Sequence, residues 1–140
     1  MTPSIIPGGM HEDKRGKLRY NNSFDATNVK RMYVIDNNLG FKRRWQGHKI
    51  EQRWFTAISG RFKIQLILVD NWKSPSVALE RITFELTSNT FDILHIPFGY
   101  VSSIQSLSES SKLLVMSDYS LNEINDEYRF PINYFKEIKL

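Results

Sequence analysis

The chain has 140 residues, 41% of them apolar and 24% charged, which is enough for one globular domain with its own core. It has no cysteine, so a disulfide framework and thiolate chemistry are both excluded. The formal charge of +4 gathers in "KRGKLR", "VKR" and "FKRR". That is too little for a nucleic-acid reader; it reads either as solvated surface or as a site for a smaller anion such as a phosphate.

In chain order, "MTPSIIPGG" lacks the basic start and long apolar core of a signal peptide. No apolar run is long enough to span a bilayer, so no membrane partner is expected, and the absence of cysteine suits a reducing cytoplasm. "VKRMYVID" (29–36) alternates as a strand, with Val29, Arg31, Tyr33 and Ile35 on one face. After the "NNLG" turn, residues 45–58 are predicted to run extended to the "SG" turn at 59–60. "RFKIQLILVD" (61–70) then returns as a hairpin strand with Phe62, Ile64, Leu66 and Leu68 together. "RITFELT" (81–87), "FDILHIP" (91–97), "VSSIQSL" (101–107) and "KLLVMSDY" (112–119) follow as strands, separated by turn residues. Only the tail reads helical. "SLNEINDEY" offers an N-cap at Ser120 with Glu123 three residues on, and "FPINYFKEIKL" a second short helix. Short strands with regular turn signals predict an all-β fold, a sandwich, jelly roll or barrel, as a single domain over 1–140.

Strand alternation places Gln46, His48, Gln52, Trp54 and Thr56 on one face, with Ile50 and Ile58 beside them. A face that mixes amides, an imidazole and a hydroxyl is unlike a pure core and suggests a polar cavity. Arg31 shares its face with Tyr33, and an inward guanidinium needs an anion. A diphosphate meets that need through the guanidinium fork; salt bridges to Asp13, Asp25 or Glu51 are the alternative. Trp45, Trp54 and Tyr100 suit either stacking on a base or the core. His95 reads as packed and His11 as exposed.

"WQGHKIEQRWFTAISG" (45–60) and "ILHIPFG" (93–99) resemble the two motifs of the cupins. "DKRGKL", "VKRMYVI", "LLVMSDY" and "NDEYRF" occur in the matching order around them. Together, over residues 13–130, they resemble the small sugar-nucleotide cupins: the WxcM-like dTDP-4-oxo-6-deoxyhexose 3,4-ketoisomerases and the relatives of dTDP-4-dehydrorhamnose 3,5-epimerase. The resemblance implies a double-stranded β-helix, the cupin jelly roll, with the short helical tail read above. It also implies a cytoplasmic homodimer that acts on a dTDP-linked deoxysugar in polysaccharide biosynthesis, with no metal or other cofactor.

Carried over position by position, the motifs put Gln46, His48, Gln52 and Ser102 where metal cupins hold an ion. One imidazole and two neutral amides suit a divalent cation poorly. The epimerases' base position falls on Gln46, which cannot titrate, and their tyrosine falls near Val115 or Met116. Residues 61–69 contain no acid to orient a base, and Lys63 stands about where one is expected. The ketoisomerases' second histidine falls on His48, the group best suited to move a proton next to a ketone at neutral pH. The expected catalytic residues are therefore His48 and, as proton donor, Tyr119 in "SDY". The expected substrate contacts are Arg31, Tyr33, Arg43, Gln46, Gln52, Trp54, Tyr100 and Ser102. The competing reading is a non-catalytic cupin that binds a nucleotide sugar or carbohydrate. A scaffold for a transferase is a third, and it would expose an apolar patch instead of a polar cavity.

Overall fold

The computed structural model describes residues 1–137, and among them there are twelve strands and no helix. The strands are β1 (Ser4–Ile6), β2 (Gly9–Asp13), β3 (Gly16–Tyr20), β4 (Arg31–Asn37), β5 (Lys42–His48), β6 (Arg53–Ser59), β7 (Arg61–Leu68), β8 (Ile82–Thr87), β9 (Ile93–Ile96), β10 (Tyr100–Ser106), β11 (Ser111–Ser117) and β12 (Tyr128–Arg129). They form two antiparallel five-stranded sheets, in the orders β1-β9-β6-β11-β4 and β12-β5-β10-β7-β8, with β2 and β3 as a separate hairpin. This is the expected jelly roll.

The period-two patterns work because each strand turns one face to the space between the sheets. Phe62, Ile64 and Leu66 of β7 meet Leu86 of β8, Leu94 of β9 and Leu113 and Val115 of β11 in the main core. Leu68 leaves the pattern at the strand end and is exposed. The outer faces are covered as well. Trp54, Ile93 and Met116 lie outside the first sheet, beneath Ile6, Phe24 and Val29. Trp45, Ile67 and Val101 lie outside the second, covered by Phe130, Tyr134 and Phe135.

Two expectations are corrected here. The run predicted over 45–58 is two strands in two different sheets, β5 and β6. Between them the main-chain N–H groups of Lys49, Ile50 and Glu51 donate to the Asp126 carboxylate instead of to a neighbouring strand. This turn shifts the alternation by one residue. Gln46 and His48 face the space between the sheets before it; Glu51, Arg53 and Phe55 face it after. Trp54 and Gln52 therefore point outward.

The helical tail is the second. Its local signal is real: the Ser120 N–H donates to Glu123 Oε1 at 3.0 Å and the Glu123 N–H to the Ser120 carbonyl at 3.1 Å. Asn122, however, sits at a φ of 64°, which ends the turn before it can propagate. The chain then pairs β12 with β5, and the Tyr134 N–H closes a turn on the Pro131 carbonyl. Residues 138–140 of the second predicted helix lie outside the described residues.

Gly60 joins β6 to β7 at a φ of 73°, and a Cβ there would lie 2.2 Å from Ser111 Oγ and 2.7 Å from Ser108 Oγ. Gly60→Ala is expected to lower the unfolding free energy by about 1–3 kcal/mol, from backbone strain and displacement of the serine pair. Denaturant unfolding checks this, and unchanged stability would show that the hairpin tolerates a side chain.

Candidate active site

Between the two sheets, where β4, β5 and β10 meet the segment 120–127, lies a cavity of about 830 Å³. Arg31 and Tyr33 line it from β4, Arg43, Gln46 and His48 from β5, Arg53 from β6, and Tyr100 and Ser102 from β10. Tyr100 and Ser102 sit directly across from His48 and Gln46 in the β10–β5 ladder.

His48 is the centre of this arrangement. Its side chain is 12% exposed, and its Nδ1 lies 3.0 Å from the Asp126 carbonyl oxygen. A carbonyl can only accept, so Nδ1 carries the proton and Nε2 is left with its lone pair. Glu51 Oε2 lies 3.7 Å from the same Nδ1. Glu51 is itself held by Arg53 Nη2 at 2.5 Å and by the Ser117 hydroxyl at 3.1 Å. Arg53 Nη1 continues the chain by donating to the Tyr33 hydroxyl at 3.0 Å. Burial and then the Arg53 charge push His48 below the ordinary imidazole range, with Glu51 and Asp126 opposing them. The imidazole is held neutral, with an acid close enough to steady it once charged.

The other walls are polar and cationic. Gln46 donates its amide N–H to Glu127 Oε1 at 2.8 Å, which leaves its carbonyl oxygen free to accept. The Arg129 guanidinium beside Glu127 holds that carboxyl below its ordinary range. Burial raises the Tyr100 hydroxyl, so it stays a neutral donor. The Arg31 guanidinium lies over the Tyr33 ring, 4.8 Å from its centroid, and Arg43 Nε donates to Asn37 Oδ1 at 2.6 Å. Neither arginine is paired with a carboxylate among the described residues.

Three of the expected residues are elsewhere. Trp54 stacks on His95 outside the first sheet, with ring centroids 5.4 Å apart. Gln52 Oε1 accepts from His95 Nε2 at 2.7 Å, and its amide N–H donates to Asp118 at 3.3 Å on the same outer face. Tyr119 lies under the Lys30 ammonium, off the cavity wall. His95 is thus packed and bonded, as expected, and His11 is exposed in β2. Conversely, Arg53 and Asp126 were not anticipated, and Glu51 only as a salt-bridge partner for an arginine, not as a neighbour of His48. The opposite charges at 51 and 53 share a strand face, which is a signal of an internal pair, but it becomes legible only once the sheet change is known.

His48, Glu51 and Asp126 bring three potential metal ligands together, with the ligand atoms within 4.8 Å of one another. Their chemistry does not favour a cation. Both Asp126 oxygens accept main-chain N–H groups, Glu51 is committed to Arg53 and Ser117, and the histidine nitrogen involved already carries a proton to Asp126. Gln52 points away, so the four positions matched to metal cupins do not converge either.

No family model and no curated protein matches the chain. Solved structures do. A variant of a 3,4-ketoisomerase from Thermoanaerobacterium thermosaccharolyticum, in complex with TDP-4-keto-6-deoxyglucose, matches with a TM-score of 0.70 at 23% identity, over 92% of this chain and 88% of that one. A 3,4-ketoisomerase from Helicobacter canadensis matches at 0.67 and 23%, over 93% and 92%. The dTDP-4-dehydrorhamnose 3,5-epimerase from Sulfolobus tokodaii matches at 0.73 and 19%, over 96% and 80%. The jelly roll described above is therefore the fold these sugar-nucleotide cupins share, which agrees with the resemblance drawn from the two sequence motifs.

The depressed proton affinity of His48 carries a stability consequence. Between its folded value and about 6.5, the unfolded chain binds the proton that the folded chain refuses. Stability is fully present above that window and falls as pH drops through it, by at most about 1.4 kcal/mol per pH unit for one such group. His95, also held down by burial, adds in the same direction. Comparing denaturation of the wild type and His48→Gln from neutral to acid pH should show a shallower fall in the variant. Equal slopes would mean that His48 titrates normally.

Proposed function

We propose that this chain is a nucleotide-sugar isomerase, most like a 3,4-ketoisomerase, that moves a proton next to the ketone of a dTDP-linked 4-keto-6-deoxyhexose without a metal. The observation that carries the reading is the contact of His48 Nδ1 with the Asp126 carbonyl: it ties up Nδ1–H and leaves Nε2 as the free base on the wall of a cation-lined cavity.

In this reading Nε2 takes the proton from C3. The C3–H electron pair forms the C3=C4 double bond and the C4 ketone oxygen becomes an enolate. The hydroxyl proton on O3 passes to O4, the new ketone forms at C3, and the imidazolium returns its proton to C4. Atoms and charge balance, and His48 ends as it began. Glu51, at 3.7 Å, steadies the imidazolium between the two transfers. Gln46, Tyr100 and Ser102 offer hydrogen bonds to the sugar oxygens, and Arg31 and Arg43 offer their charge to the diphosphate. The fold match to enzymes described with TDP-linked ketosugars supports this substrate class. Homodimerisation, a cytoplasmic location and a place in polysaccharide biosynthesis belong to the same proposal.

One observation favours the second reading, a binder without turnover. Gln46 stands where the resemblance expects another titratable group, and it is held by Glu127. Incubation with TDP-4-keto-6-deoxyglucose in deuterated water, followed by proton NMR, separates the two. The isomerase predicts deuterium at C3 or C4 and a new ketosugar, with both lost by at least about a hundredfold in His48→Asn. Binding without exchange would establish the second reading.

A further inference from the structure

The outer face of the β12-β5-β10-β7-β8 sheet, on the far side from Gln46 and His48, carries an unbalanced pair of charges. Arg44 on β5 and Arg81, just before β8, converge on one residue of β7. Arg44 Nη2 donates to Gln65 Oε1 at 3.0 Å and Arg81 Nη1 to the same oxygen at 3.1 Å. The two nitrogens therefore crowd a single acceptor oxygen. Both guanidiniums lie over the Trp45 ring, each 5.0 Å from its centroid. Their remaining bonds go to the Ser103 hydroxyl, at 2.7 Å from Arg44 Nε, and to the Phe135 carbonyl, at 2.9 Å from Arg81 Nη2.

Every one of these acceptors is neutral. Among the described residues neither arginine forms an ion pair. Glu85, which faces outward on β8, is taken by Arg61 at 3.0 Å. Glu137 acts on Arg44 only at longer range, against burial and the Arg81 charge, which both weaken Arg44's hold on its proton. Arg81 Nε and Trp45 Nε1 are buried donors with no partner. Like charges held this close, partly desolvated and with N–H groups to spare, have no ion-paired counter-charge among the described residues.

We propose that Arg44 and Arg81 form an anion site on this outer face, on the other side of the sheet from His48, for a doubly charged tetrahedral oxyanion of the phosphate type. Two guanidinium forks match its several oxygens and its two charges, whereas a single carboxylate would leave one cation uncompensated. Gln65 sets the spacing of the forks, and Trp45 provides the flat surface on which they lie.

The test is a titration of the full chain with inorganic phosphate at constant ionic strength, followed by 15N NMR of the side-chain N–H groups. Arg44 and Trp45 also line the cavity, so Arg81 Nε–H is the reporter. A saturable shift of Arg81 Nε–H is expected with phosphate and none with matched chloride. Gln65→Glu sets a carboxylate between the forks. It should raise the melting temperature in chloride and weaken phosphate binding at this reporter by roughly tenfold or more. Three results would overturn the proposal: no saturable shift at Arg81 in the wild type, acetate acting as strongly as phosphate, or a Gln65→Glu chain that melts no higher and binds phosphate undiminished.

Discussion

Asp126 gathers three consecutive main-chain N–H groups onto one carboxylate, from Lys49 at 3.0 Å, Ile50 at 2.9 Å and Glu51 at 2.7 Å. The residue is 3% exposed. These are the donors that an isolated turn would have to leave to water, and burying them without an acceptor would be costly. Because Asp126 takes them, the chain can leave one sheet after His48 and enter the other at Arg53. The same residue's carbonyl accepts from His48 Nδ1. One residue of the C-terminal segment thus fixes both the path of the backbone around the site and the tautomer of its central imidazole.

The second layer is electrostatic. Glu51 and Arg53 are buried at 9% and 7% exposure, a placement that costs desolvation and is tolerable only with good partners. Ser117 and Tyr33 supply them, so the pair is bound into strands β11 and β4 and not free to swing. The result is a rigid acid beside His48 and a cation just beyond it, with Arg31 and Arg43 left to face the cavity. A neutral imidazole next to a cationic wall is the arrangement that the proposed proton abstraction from an anionic substrate would need. The outward-facing pair, Arg44 and Arg81, shows the opposite condition on the far side of the β5 sheet: charge without an ion-pair partner among the described residues.

Much of the fold was legible because it rests on local alternation. Phe62, Ile64 and Leu66, then Phe84 and Leu86, pack inward as a period of two demands. The same rule placed Arg31 and Tyr33 together on the cavity face. It failed at residues 49–52, where no glycine or proline marks the break. The turn there is made by an acceptor 75 residues away in sequence, which no local pattern encodes. That single slip misplaced Gln52 and Trp54 and hid Glu51 and Arg53. The tail failed for a related reason. Ser120 and Glu123 do make the capping bond their spacing suggests, but pairing of Tyr128 and Arg129 with β5 outweighs a helix of one turn. The strand over 61–69 offers no acid to His48; the carboxylate near its Nδ1, Glu51 at 3.7 Å, comes from the turn next to the histidine itself.

The account turns on one protonation state. Long-range 1H–15N NMR of the imidazole rings at neutral pH reads it directly, with His48→Gln assigning the resonances. The prediction is a neutral His48 with the proton on Nδ1 and a bare Nε2 that shifts when TDP-4-keto-6-deoxyglucose is added. A proton on Nε2, an imidazolium at neutral pH, or an Nε2 indifferent to the ketosugar would contradict the assignment of His48 as the base.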